Sequence, residues 1–470
     1  MTMLELRQKI SEMQPLTIGE VVALATEYQA RVVDVVLLET EIQTELAREE
    51  ILTKVMEEYD HNIRALEIGL KDGESILLGT VASQLNKIEG PKCFADKMLD
   101  DALLFTLAAQ VGNHCIGLRP CAGTGDSCPY AGFIKAMQVN GYEAKTVAEI
   151  AALILKIGSI FRVGKVTTGC NMEGFGAGAA CIAAATAVLE GGTPEQMEKA
   201  MVLAMSPTIG VPCTPRVLVP ALCTTHVGGA ILIGMYAGKM CTKVEMTVNV
   251  PFDVMIAMAS QVHVESGKYL VPTVVEYMEP FFKRKAAVES LVAEEVKKAE
   301  AKQMTETLAK ANRLAKEMAS DTKSVLNTYG DAVVGGSSQA VGSPTNAARI
   351  ANKLAKGTIK KVTIELYPEL FKRRSINIPG ILMGAVFGAS TSDYEMYNQA
   401  IDKVKELGIA VEIIEGTEHA IQKITIETDE MTGSVDTLNR GGGRLVLREA
   451  VPSTAEAIKI ADKLGIQLVE

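Results

Sequence analysis

KRKAAVESLVAEEVKKAEAKQMTETLAKANRLAKEMAS, running from Lys283 to Ser320, is the stretch on which the architecture turns. It has no Gly or Pro and is dominated by Ala, Lys and Glu, so it reads as a solvated connecting helix over 282–324. The sequence differs in kind on its two sides. From 99 to 240 it is rich in Gly and Ala, with apolar helical runs broken by loops of Gly, Pro, Thr and Cys. After 325 it alternates between short β-like runs and helical ones, over a length usual for one domain. The expectation is an α+β multidomain chain. A mostly helical domain spans 1–281, a long helix follows, and a smaller α/β domain occupies 325–470.

Within the first domain, residues 1–70 read as helical. Thr17 and Glu20 form a capping box, which satisfies amides at a helix start. Further helices are expected at 145–160, 176–190 and 194–205, the last with Pro194 in a tolerated first-turn position. In the second domain, strands are expected at Lys360–Leu366, Ala410–Ile414, Gln422–Glu427 and Arg444–Leu447. Helices are expected there at 344–355, 393–406 and 453–463, with Ser453 and Glu456 as another capping box.

A hydrophobic share of 48% against 22% charged residues is the balance of a globular rather than a disordered chain. The net charge of −10 argues against nucleic acid or an anionic membrane as partner, since either favours a basic face. The longest apolar runs, such as Ala230–Ala237, fall well short of the roughly 20 residues needed to span a bilayer. The amphipathic start, MTMLELRQKISEM, lacks a signal-peptide core, and the expected location is the cytoplasm. Few aromatics and no Trp disfavour stacking platforms and fit a small acidic ligand.

All nine cysteines lie between Cys93 and Cys241. In a reducing compartment such clustering points to a metal or redox site rather than to disulfides. Three loops stand out. In Arg119-Pro-Cys-Ala122-Gly123-Thr124-Gly125-Asp126-Ser-Cys128, small residues let backbone amides approach an anion such as a carboxylate. In Thr167-Thr-Gly-Cys170-Asn-Met-Glu173-Gly, a cysteine stands at a loop-to-helix transition. In Val211-Pro-Cys213-Thr-Pro-Arg216-Val-Leu-Val-Pro-Ala-Leu-Cys223, prolines prevent regular helix. Three readings stay open on chemistry alone. Cys170, Cys213 and Cys223 ligate an iron–sulfur cluster, or they form a thiol nucleophile system with His226 as base, or they are small buried hydrophobes.

The stretch Cys170–Gly238 resembles the catalytic α part of the iron–sulfur-dependent L-serine dehydratases. The residues that carry the likeness are Cys170-Asn-Met-Glu173, Gly191-Gly-Thr-Pro-Glu-Gln196, Cys213 and Cys223, with the cysteines 43 and 10 positions apart. Pro120–Pro129 is similar to that family's substrate loop. Val334-Gly-Gly-Ser337-Ser338-Gln-Ala-Val-Gly-Ser-Pro344 and Gly441-Gly-Gly-Arg-Leu-Val-Leu447 are similar to its β part. The resemblance implies a [4Fe–4S] cluster on Cys170, Cys213 and Cys223, and loss of water from a small β-hydroxy carboxylate. It implies carboxylate contacts from Ala122, Gly123, Thr124, Gly125, Ser337 and Ser338, with Glu173 as a further substrate-binding residue.

The departures matter as much. The family's histidine in the Ser-Ser-Ser-His-Thr segment is Gln339 here, the Asp after the second cysteine is Thr214, and Leu78–Ser83 replaces a Thr-Gly-Gly-Asp segment. Ligands are kept while groups expected to recognise an amino acid are changed, which implies a substrate without serine's ammonium. L-serine itself, and a cluster-binding sensor without catalysis, are the alternatives. His226, His114 and Asp126 are the candidate bases, and Arg216 and Arg119 the candidate partners of a distal carboxylate. The long helix at 282–324 suits packing within the chain or against a second copy in a homo-oligomer.

Overall fold

The computed structural model describes residues 3–119, 127–164, 176–211, 219–320, 331–335 and 341–470. The chain divides into two compact units, Met1–Lys316 and Glu317–Glu470.

The first unit is helical among its described residues. Its N-terminal helices are α1 (Met3–Met13), α2 (Ile18–Tyr28), α3 (Val32–Thr44) and α4 (Arg48–Lys71). The Thr17 box forms in full, with Thr17 Oγ1 accepting from Glu20 N and Glu20 Oε2 accepting from Thr17 N at 2.8 Å. After α5 (Val81–Asn86) come the helices that build the centre: α6 (Lys97–Ile116), α7 (Ser127–Val139), α8 (Ala144–Gly164), α9 (Gly178–Leu189), α10 (Pro194–Met205) and α11 (Leu222–Lys243). A full capping box at Thr193 and Gln196 starts α10, with Pro194 in its first turn.

The Gly/Ala-rich composition has a packing cause. Side chains of one or no carbons let helix backbones approach closely. A Cβ on Gly234 of α11 would lie 2.6 Å from Ile182 Cβ and 2.8 Å from Ala179 O of α9. One turn on, a Cβ on Gly238 would meet Thr186 Cβ at 2.6 Å and Ala183 O at 2.9 Å. One turn back, a Cβ on Gly178 would lie 3.0 Å from Ala230 Cβ. Contacts advance in the same direction along both helices, so α9 and α11 are parallel and their N-termini point to the same end. By contrast, α6 and α7 form an antiparallel hairpin: Cys128 meets Gln110 near the turn, and Asn140 meets Asp101 at the open end.

Beyond α11 lie α12 (Phe252–Glu265), a π-helical turn at Ser266–Leu270, and α13 (Val271–Met278). The stretch expected to be one connecting helix is broken. It holds a single turn, α14 (Ala286–Glu289), and then the 27-residue α15 (Glu294–Ser320). Ser290 Oγ donates to Ala287 O at 2.7 Å, a local bond that competes with helix continuation. Arg284 pairs with Glu300 of α15 at 2.8 Å. Only Thr307 of α15 is buried, so most of this helix is solvated, as its composition implies.

The second unit contains a five-stranded mixed sheet in the order β2-β1-β3-β4-β5. The strands are β1 (Ile359–Leu366), β2 (Ala410–Glu415), β3 (Ile421–Thr428), β4 (Thr432–Asn439) and β5 (Leu445–Val451). β1 and β2 are parallel, and the other pairings are antiparallel. Val362, Ile364, Leu366, Ile424, Ile426 and Val435 point into the core, whereas every residue of the edge strand β2 is exposed. Helices α16 (Gly342–Leu354), α17 (Pro368–Lys372), α18 (Arg374–Phe387), α19 (Tyr394–Glu406) and α20 (Thr454–Lys463) complete the unit. At Ser453 only the serine half of the expected box is seen, its side chain accepting from Glu456 N.

Gly234→Val tests the helix contact. Its added carbons have nowhere to go, and overpacking of this kind costs about 1–3 kcal/mol. Urea unfolding is expected to show that loss, whereas Gly408→Ala, with open space around the glycine but a φ of +66°, should cost less. Equal stability of G234V and the parent would refute the close approach.

Candidate functional site

Each of the three cysteine-bearing loops lies, wholly or in its key residues, outside the described residues: 120–126, 165–175 and 212–218. Their anchoring ends are described, and these converge. Gly178, at the start of α9, faces Ala230 of α11 and also Pro129 of α7, whose Cγ would lie 3.3 Å from an added Cβ. Gly176 and Gly210, at the ends of two different loops, share one narrow crevice with Thr208 and the buried His263. Ser260 Oγ donates to Gly164 O at 2.7 Å, and Ser266 Oγ to Gly210 O at 3.2 Å, so α12 and its π turn brace two loop ends. The N-terminal turns of α7, α9 and α11 point toward this region, and their aligned dipoles favour an anion there.

Of the proposed ligands, Cys223 is described. It is buried, at 4% exposure, in the first turn of α11. Cys170 and Cys213 lie outside the described residues, as do Ala122, Gly123, Thr124, Gly125, Asp126, Glu173, Arg216, Ser337 and Ser338. No group of three or more His, Cys, Asp or Glu side chains suited to a metal occurs among the described residues. His226 is half-buried one turn beyond Cys223, on the same side of α11. A pocket of about 220 Å³ opens beside Thr224, Thr225, Gly228 and Gly229 of that helix, with Leu103 and Lys92 opposite. A larger cleft, about 830 Å³, is lined by Leu16, Glu39, Ile51, Leu155 and Lys156 and reaches Gly164 at the end of α8.

Arg119 is held by its backbone. Asn62 accepts from Arg119 N at 2.8 Å and donates to Arg119 O at 2.9 Å, and His61 Nε2 lies 3.0 Å from Gly117 O. The Arg119 guanidinium is exposed, 3.4 Å from Glu58. Sequence reasoning passed over Asn62, because nothing in α4 marks it apart from its being polar on an otherwise apolar face.

His114, in the last turn of α6, keeps part of its side chain exposed, and the partial loss of solvent on its other side lowers its pKa from the usual imidazole value. Its Nδ1 is hydrogen-bonded to Ser75 Oγ, a fully buried residue. Ser75 begins a tight turn in which Ser75 N donates to Gly79 O at 2.9 Å and Gly79 N donates to Ser75 O at 2.7 Å. Leu77 O of that turn accepts from Ala221 N at 2.7 Å, two residues before Cys223. Ala221 has φ +71°, an unusual backbone for a residue with a Cβ and one that concentrates at functional sites. Thus the turn at 75–79 straps His114 to the entry of the helix that carries Cys223 and His226. Ser75 carries no mark of this in the sequence, where only the end of its turn falls within the Leu78–Ser83 segment.

The remaining described cysteines are placed differently. Cys241 is buried at the far end of α11, and burial raises its thiol pKa. At 1.5 Å per residue it is roughly 27 Å from Cys223. Cys181 lies inside α9, its Sγ 3.7 Å from Ile154 O. Cys93 and Cys115 are exposed.

No family model matches the chain. The chain is similar to the probable L-serine dehydratase alpha chain of Bacillus subtilis strain 168. The two are 24% identical over 211 residues, which cover 42% of this chain and 69% of the relative. This likeness supports the serine dehydratase family, and with it a hydro-lyase type of chemistry, at the level of a distant relative. No described helix is long and apolar enough to cross a membrane.

Asn62→Ala removes both bonds to the Arg119 backbone and leaves a peptide unit unpaired at the mouth of the first loop. The expected loss of stability is about 2 kcal/mol, from an unmade bond to a partly buried group. Chemical denaturation measures it, and a change below about 0.5 kcal/mol would show that the clamp is dispensable.

Proposed function

We propose that the protein is a [4Fe–4S]-dependent hydro-lyase that removes water from a small β-hydroxy carboxylate. The observation that carries this reading is the convergence of the described anchors of the three cysteine loops at Pro129, Gly176, Gly178 and Gly210, with Cys223 buried in the first turn of α11. The donor set suits the group. Three cysteines, Cys170 in one loop and Cys213 and Cys223 in another loop and the helix turn that follows it, suit an anionic thiolate-bound cluster with one iron left without a protein ligand. Cys170, Cys213 and Cys223 would hold it. When bound, such a cluster supplies Lewis acidity toward a hydroxyl leaving group.

The chain's own residues perform the rest. The backbone amides of Ala122–Gly125 grip the substrate carboxylate, and Glu173 accepts from the substrate hydroxyl. Arg216 takes a second carboxylate as a bidentate partner. His226, one turn from a ligand cysteine, removes the proton α to the carboxylate through its imidazole nitrogen, with Asp126 as the alternative base. The pocket of about 220 Å³ beside Thr224 and Gly228 gives room for a short side chain.

The substrate best suited to the missing ammonium-recognition groups is 2-(hydroxymethyl)glutarate, giving 2-methyleneglutarate and water. The departures at Gln339, Thr214 and Leu78–Ser83 are its support. L-serine is the second reading, favoured by the description of the Bacillus relative. Anaerobically purified protein offered each compound separates the two. The expected result is an alkene product from the dicarboxylate and no ammonia from serine. Pyruvate and ammonia would reverse the choice, and turnover of neither would favour a non-catalytic sensor.

Cys170→Ser, Cys213→Ser and Cys223→Ser are each expected to abolish the iron–sulfur absorbance and the EPR signal of reduced protein. Cys93→Ser and Cys241→Ser should retain both, since the first thiol is exposed and the second lies at the opposite end of α11. Equal loss in all five would overturn the ligand set.

A further inference from the structure

The hydrogen bonds around Ser75 determine where the proton on His114 sits. Ser75 Oγ accepts from Leu77 N and from Leu78 N, each at 3.0 Å. A hydroxyl oxygen has two lone pairs, and the two backbone amides, which can only donate, occupy both. The hydroxyl proton is then left to point at its third neighbour, Nδ1 of His114. Nδ1 must therefore be the acceptor, and a neutral ring carries its proton on Nε2. An imidazolium would set an N–H at Nδ1 against an oxygen with no lone pair to offer, so charging the ring is opposed by geometry as well as by burial.

On the other side of the ring, Nε2 of His114 faces the Gln110 amide nitrogen at 3.4 Å, and the Gln110 carbonyl accepts from Cys128 Sγ at 2.7 Å. The two ends of an amide exchange by a half-turn. The tautomer set by Ser75 calls for that half-turn, with the Gln110 carbonyl toward Nε2–H and its NH₂ toward the Cys128 sulfur, a weak acceptor. Gln110 is 9% exposed and Cys128 1% exposed, so bulk water is largely kept from these positions. The chain of bonds runs from the 75–79 turn, which is tied to Ala221, to the first turn of α7, directly after the 120–126 loop.

We infer that Ser75 is a positioning residue that locks His114 as the neutral tautomer protonated at Nε2, making His114 a hydrogen-bond donor in this site and not its general base. The inference rests on the proposed hydro-lyase reading only for the meaning of "base"; the tautomer itself follows from the bonds of the folded chain. It removes one of the three candidate bases and leaves proton abstraction to His226 or Asp126.

Long-range proton–nitrogen NMR of the holoprotein labelled with ¹⁵N-histidine reads the tautomer directly. The chain has five histidines, and the signal absent from His114→Gln is that of His114. The expected result is a single Nε2–H tautomer at about pH 7, well inside the range where an ordinary histidine titrates. In Ser75→Ala the signal should move toward a mixture of tautomers, with protonation at higher pH than in the parent. An Nδ1–H tautomer or an imidazolium in the parent would overturn the inference, as would an S75A signal identical to the parent's. Should S75A fail to fold, the parent spectrum alone still decides.

Turnover gives the second arm. Glutamine keeps an N–H near the position of Nε2, so H114Q is expected to retain activity within about tenfold of the parent, whereas H114A, which leaves Gln110 without that donor, is expected to lose more. A loss of about 10²- to 10⁴-fold in H114Q, the worth of a general base, would overturn the assignment. A protein that dehydrates nothing yet shows the Nε2–H tautomer would sink the hydro-lyase reading while leaving the Ser75–His114 lock intact.

Discussion

The contact of α9 with α11, backbone almost on backbone, is the constraint on which the first unit is built. Gly178, Gly234 and Gly238 leave no room for a side chain between the helices, so their register and their parallel direction are fixed together. Parallel direction is what brings two helix N-termini to one end. The α6–α7 hairpin then adds a third through Pro129. A set of partial positive charges assembled this way costs the fold nothing extra, because each helix is independently buried along its length.

This arrangement explains a composition that otherwise looks thin. A core with few aromatics loses the large buried area that each aromatic contributes. Here the loss is offset by interhelical distances short enough for Ala and Gly to fill the interior, as in the run of fully buried residues Ala179–Ala185. The largest buried rings, Tyr59, Tyr130, Phe133, Phe161 and Phe252, all lie in helices of the first unit apart from Tyr367.

Much of this could be read from the sequence where the signal was local. Thr17–Glu20 announced a helix start because the reciprocal bonds need only those two side chains. β1 and β3 were legible from alternation in KKVTIEL and QKITIE. β4, TGSVDTLN, was not. Gly433, Asp436 and Asn439 are poor strand formers, and the strand exists because β3 and β5 pair with its two edges. α18 escaped notice for a like reason: Pro379 lies inside it, and the helix is held by packing of Gly380 against Val341 and Thr345. In the site, cysteines advertise themselves by type and spacing. Ser75 does not, since its significance comes from a turn whose other contacts, His114 and Ala221, are 39 and 146 positions away.

The exposed edge strand β2 has a consequence for how the protein behaves at high concentration. Its sequence, Ala410-Val-Glu-Ile-Ile-Glu415, presents Val411, Ile413 and Ile414 to solvent along an edge whose peptide groups on one side have no neighbouring strand among the described residues. Such an edge is a template for a copy of itself. Glu412 and Glu415 lie within the same six residues, so a second β2 laid alongside would bring carboxylates near carboxylates, and Lys361 is already engaged with Glu412 at 2.6 Å. Those two acids therefore act as a guard on solubility: the strand keeps the apolar residues that its pairing with β1 requires, and its charge discourages growth of the sheet from molecule to molecule.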